Sequence, residues 1–223
     1  MVSFTEEDHR RVSAAVAAAE SSTDAEIVTV VAPFSDKYHD AALHWAILMA
    51  VSALFAATVW PVLALWPIDL LSGGWSETGH GTVILLALGL WLLAFLLALA
   101  LLRWRPLRLA LTPQSTQRRR VRARALAAFR IGAERRTVGR TGVLLYLSDA
   151  ERMAELIADE AIHSRTDPDD WAHAMAALVV HARGGLVADG MVAAVEAIGP
   201  LLAAASPKSM GNANELSDRL IEL

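Results

Sequence analysis

The stretch "TDAEIVTVVAPFSDKYHDAALHWAILMAV", residues 23–51, passes from one solvent to another within a few residues. Glu26 to Val31 reads as a short β-strand, rich in Val and Ile. The uncharged run from Trp45 to Trp66 follows, 22 residues long. A second uncharged run, Thr82 to Leu102, has 21. At ~1.5 Å per residue each helix reaches across a ~30 Å hydrocarbon core. Pro61 and Gly89 are tolerated inside such spans, and Pro61 is placed to kink the first. A lone strand cannot satisfy its own backbone, so the partners of Glu26 to Val31 must come from elsewhere in the chain.

Charge asymmetry says where. The connecting stretch "PIDLLSGGWSETGH", residues 67–80, has no Arg or Lys but carries Asp69 and Glu77. Residues 103–140 hold 12 Arg and one acid, Glu134. The positive-inside rule then puts both termini in the cytoplasm, with the loop outside, in an inner (plasma) membrane crossed twice. Trp45 and Trp104 fit one interface; Trp60, Trp66 and Trp75 fit the other. The arginines beside the second span, Arg103, Arg105, Arg108, Arg118, Arg119 and Arg120, are expected to touch anionic lipid headgroups rather than nucleic acid. Such contacts contribute about 1 kcal/mol per residue near the surface. Residues 141–223 are acidic, with 13 acids against 5 bases, so the net charge of −4 conceals a split.

Composition excludes some chemistry. There is no Cys, hence no disulfide, thiolate metal site or Cys nucleophile. Hydrophobic residues make up 55% and the mean hydropathy is +0.39. "MVSFTEEDHRR" has acids where a signal peptide needs positive charge, and reads as an amphipathic helix capped by Thr5, with Val12 and Val16 on its apolar face. No GxSxG, Walker, HExxH or Rossmann glycine pattern occurs. The seven His are scattered, and His173 and His181 on one helix face are too few for a metal site.

After the second span, Thr112 is a candidate cap and Pro113 a first helical residue for an Arg-rich helix with Val121, Ala125 and Phe129 on one face. "GVLLYLS", Gly142 to Ser148, reads as a buried strand. "DAERMAELIADEAI" favours helix by propensity. Asp167, Pro168 and Gly184 bracket one helix, and another runs to Pro207. Strands alternating with helices imply an α/β sandwich, with Glu26 to Val31 beside Gly142 to Ser148.

Four stretches carry a family resemblance: "FTEEDHRRVSAAVAAAESSTDAEIVTVV", "GRTGVLLYLSDAERMAELIADEAI", "DDWAHAMAALVVHARGGLVADGMVAAVEAIGPLLA" and "GNANELSDRLIEL". Together they resemble bacterial membrane proteins of the TPM domain family, in a branch with an inserted transmembrane hairpin. Ser217 stands where that branch usually has Pro. The resemblance implies a TPM-like α/β/α sandwich with a small central sheet, and makes Met153 to Ala158 a strand. It divides the chain into a first domain part (residues 1–40), the hairpin with its basic flank (41–111), a second domain part (112–206) and a tail (207–223). The function it implies is a membrane-anchored, non-enzymatic accessory factor that assembles or maintains other membrane proteins. The alternative is a divalent-metal-dependent phosphatase, since some members are calcium-binding acid phosphatases. Acids after strand ends, Asp36, Asp149 and Asp159, are the candidate ligands for Ca²⁺ or Mg²⁺. Asp149 and Asp159 lie at opposite ends of a hairpin, so at most one of them shares a site with Asp36.

Overall fold

A computed structural model describes residues 4–62, 79–132, 141–209 and 218–223. The inter-span loop with Trp66, Asp69, Trp75 and Glu77, the arginines 135, 136 and 140, and residues 210–217 of the tail lie outside the described residues. The chain forms two compact units, residues 37–113 and residues 1–36 with 114–223.

The larger unit holds the sheet. Strand β1 (Glu26–Ala32) pairs in parallel with β2 (Gly142–Ser148), Glu26 opposite Gly142 and Ala32 opposite Ser148. β2 turns back into antiparallel β3 (Met153–Ala158). A two-residue β4 (Ile221–Glu222) completes the order β3-β2-β1-β4, parallel to β1. β3 is strand although its residues favour helix, because pairing with β2 and packing on both faces outweigh propensities of a few tenths of a kcal/mol per residue.

Side chains alternate between two cores, as a period of two requires. Ile27, Val31, Val143, Leu145 and Leu147 face α1 (Glu6–Glu20), α7 (Pro168–Arg183) and α8 (Val187–Ala205). Val28, Val30, Ala32, Leu144 and Tyr146 face α5 (Gln114–Gly132), through Val121, Ala125 and Phe129. The architecture is therefore α/β, with helices on both faces of a mixed sheet. Caps follow the sequence. Thr5 and Asp8 form a capping box at α1, and Asp167 caps α7 through the Asp169 N–H. Gly190 lets α7 and α8 approach, since a Cβ there would stand 2.8 Å from the Leu178 carbonyl oxygen. The Thr112 hydroxyl donates to the Arg108 carbonyl.

The smaller unit is a helical hairpin, α2 (His39–Val59) and α3 (His80–Leu101), followed by the short α4 (Arg105–Ala110). α2 starts before Trp45, and its continuous helix ends at Val59, just before Pro61. Trp60, preceding Pro61, has φ −123° and ψ 79°, the non-helical backbone that a following proline favours. Ala42, Ala46, Ala50 and Ala57 are the buried residues of α2, and Ala98 that of α3. Phe55, Ile84, Leu85 and Leu97 are exposed. Small residues inside and large apolar ones outside invert the pattern of a water-soluble hairpin and match helix packing in lipid. α6 (Glu160–His163) is a single turn after β3.

Among the described residues, three helices are long and apolar enough to cross a membrane by length and composition: α2, α3 and α8. Only 6% of the most apolar stretch of α3 is buried, and 22% of that of α2, against 50% for α8. The buried half of α8, with Met191, Val195, Ile198 and Leu202, lies in the core beneath the sheet. A helix apolar over most of its surface is what such a position requires.

Candidate functional site

In α/β sheets ligands collect beyond the carboxyl ends of the parallel strands. Here that rim holds a connected polar network. Ser35, just after β1, donates its backbone N–H to Glu151 Oε1 at 3.0 Å and its hydroxyl to Ser148 Oγ at 2.8 Å. Ser148 donates to Glu151 Oε2 at 2.6 Å, and Ser35 Oγ lies 3.0 Å from the Tyr146 hydroxyl. Tyr146, Ser148 and Glu151 are buried. Burial pushes the Tyr146 phenol above its ordinary pKa, opposed by the bond with Ser35. Backbone bonds run alongside: the N–H groups of Asp149 and Ala150 donate to the carbonyls of Ala32 and Pro33.

Chemically this is a clasp. Both Glu151 oxygens are engaged, and the Ser35 hydroxyl is held between two neighbours. It ties the exit of β1, where the chain leaves for residues 37–113, to the β2–β3 turn. Glu151→Ala should cost about 1–3 kcal/mol, because the Ser35 N–H and Ser148 hydroxyl lose a buried acceptor. Glu151→Gln, which keeps one acceptor oxygen, should cost less. Urea denaturation of the three proteins checks both the sign and the order.

The sequence-derived metal candidates separate. Asp36 and Asp149 stand at this rim, but Arg120 Nη1 is 2.5 Å from Asp36 Oδ2. Asp159 is at the other end of β2, where its Oδ2 accepts the Gly142 N–H at 2.9 Å. Asp159 therefore shares no site with Asp36, because antiparallel β3 carries it a full strand length away. Among the described residues no three or more His, Asp or Glu gather as a group able to hold a metal ion. Sequence reading missed Ser35, Tyr146 and Ser148. The only signal was a Ser-x-x-Glu spacing across a turn, which is common in turns and says nothing of Ser35.

Of the arginines assigned to lipid, Arg118, Arg119, Arg103 and Arg105 are exposed. Arg108 is partly buried, its Nη1 3.3 Å from His39 Nδ1. Arg120 is turned to Asp36, a carboxylate partner in the same unit. Arg122 pairs with Glu155 on β3 at 3.2 Å.

A second buried acid lies at the opposite end of β1. Glu20, 6% exposed, accepts the Ile27 N–H at 2.7 Å through Oε1, while Oε2 has no hydrogen-bond partner among the described residues. Burial pushes its pKa up to about 8, the Ile27 bond opposing. The negative charges of Glu26 and Asp218 raise it further, and Lys208 lowers it.

No family model matches this sequence, and no curated protein matches it. Among solved structures, the BA42 protein of the psychrophilic bacterium Bizionia argentinensis is similar, with a TM-score of 0.56 at 15% identity. The match covers 99% of this chain and 95% of that one. At that identity the likeness speaks for the α/β fold alone.

Proposed function

We propose that this chain is a TPM-type α/β module anchored in a bacterial inner membrane, acting as a non-enzymatic accessory factor in the assembly or maintenance of other membrane proteins. One observation carries the reading: α2 and α3 turn large apolar side chains outward and alanines inward, in the middle of a domain whose two central strands flank them in sequence. In this reading α2 and α3 are the two spans and α8 remains in the domain core. Both termini are cytoplasmic, consistent with no Arg or Lys in residues 67–80 and 12 Arg in residues 103–140. The exposed Arg118 and Arg119 face anionic headgroups.

Reporter fusions test the topology. A cytoplasmic reporter at Leu223 and an exported reporter inserted at Gly74 should both be active; an exported reporter active at Leu223 overturns it. Affinity capture of the intact protein in mild detergent tests the role. Reproducible enrichment of particular integral membrane proteins is expected, and their absence speaks against an accessory factor. Phosphate-ester hydrolysis that depends on added Ca²⁺ and is lost in Asp36→Asn with Asp149→Asn would replace the reading with the metal-dependent phosphatase.

A further inference from the structure

Protein interiors leave few voids larger than a water molecule. A cavity of about 180 Å³ lies beneath the β2–β3 turn. Leu147, Met153 and Ala154 of the sheet and Val179, Ala182 and Val187 of the helix pair form its apolar walls. An apolar cavity of ~150 Å³ accepts benzene and stays dry without it. Size therefore limits an occupant's apolar body to about a phenyl ring or a short alkyl chain.

The turn supplies the polar end. Arg152 lines the cavity, and its guanidinium makes no hydrogen bond or ion pair with any described residue. Its backbone is left-handed, φ 51°, at the last position of the turn between Ser148 and Met153. Gly or Asn takes that conformation at little cost, whereas a long side chain is disfavoured. The sequence thus keeps a cationic side chain where folding alone favours glycine, a pattern of strain that accompanies binding sites. Asp149 lines the cavity too, so the mouth carries one charge of each sign. That arrangement disfavours a dianionic phosphate and leaves the planar guanidinium fork for a planar monoanion.

We propose that this cavity binds a small carboxylate with a short apolar body, its carboxylate on Arg152 and its body among Leu147, Val179 and Val187. The site does not rest on the accessory role; it adjoins the clasp, since Ser148 lines the cavity as well.

The test uses the full chain in lipid nanodiscs, with empty discs subtracted. Calorimetric titration with hexanoate and phenylacetate should give saturable one-to-one binding at millimolar concentration or below. Hexanamide, equal in size but uncharged, should bind at least tenfold more weakly. Arg152→Gly should fold with an unchanged or raised melting temperature, since glycine accepts the positive φ, and should lose tenfold or more in hexanoate affinity. Ala154→Phe should abolish binding of both acids by filling the cavity. Equal affinity for hexanamide, unchanged hexanoate binding in Arg152→Gly, or no saturable binding of either acid at millimolar concentration each overturns the proposal.

Discussion

Val30→Asp should destroy the sheet-bearing unit while leaving the protein in the membrane. Val30 is 3% exposed and lies on β1 between Tyr146 of β2 and Ile221 of β4. Its side chain belongs to the core under α5, with Val121 and Phe129. That cluster is apolar, so an aspartate there is either ionised in a poor solvent for charge or neutralised at a large cost. The loss should be about 3–5 kcal/mol, a large part of what a domain of this size has to spare. Hydrogen exchange of the full chain in nanodiscs checks it. Amides of 26–32 and 142–148 should lose protection together, since those strands share a ladder. Val30→Ala, which removes only apolar contact, should cost markedly less. Intact protection of 142–148 in Val30→Asp would mean that β2 does not depend on β1, contrary to the register.

That pairing was legible in the sequence for a physical reason. Buried strands read as continuous apolar runs whatever their partner, and "EIVTVV" and "GVLLYLS" are such runs. Two apolar stretches long enough for a bilayer separate them, so they can meet only if the chain returns. The amphipathic faces of α1 and α5 were equally plain, since Val12 with Val16, and Val121 with Ala125 and Phe129, recur at helical spacing. β3 was not legible from its residues: Met153, Ala154, Glu155 and Leu156 favour helix, and the neighbouring strand overrides them. α8 marks another limit. By hydropathy it passes for a membrane span, and its place beside β1 and β2 in the core distinguishes it.

The polar groups were the least legible. Asp36, Asp149 and Asp159 share a sequence context, each following a strand, yet the parallel and antiparallel ladders send them to different ends of the sheet. Arg120 sits in a row of identical side chains, and only the fold singles it out for Asp36. Ser35 and Glu151 are 116 residues apart, and no local pattern links them. Glu20, the last residue of an acid-containing amphipathic helix, reads as solvated; burial by the strand and tail around it is a tertiary fact.

Glu20 should make this protein less stable as pH rises through neutrality. Its ordinary pKa is 4.5, and burial pushes it up to about 8 in the fold, so the folded state holds a proton that the unfolded chain releases between those values. The stability is complete below about pH 4.5, falls as pH rises toward 8, and changes little above that on account of this group. The groups facing it make the sign firm. Glu26 at the start of β1 and Asp218 in the tail are like charges, and Lys208 donates its ammonium to the Glu20 carbonyl oxygen at 3.1 Å rather than to the carboxylate. A rise from 4.5 to about 8 corresponds to a loss of up to about 5 kcal/mol across the window. Glu20→Gln keeps an acceptor for the Ile27 N–H and has nearly the shape of the neutral acid, but cannot ionise. The variant should match the parent near pH 5 and exceed it by a few kcal/mol near pH 8.5. Urea denaturation across that range decides the matter: parallel stability curves for Glu20→Gln and the parent would show that Glu20 is ionised in the folded protein, with Oε2 reached by water.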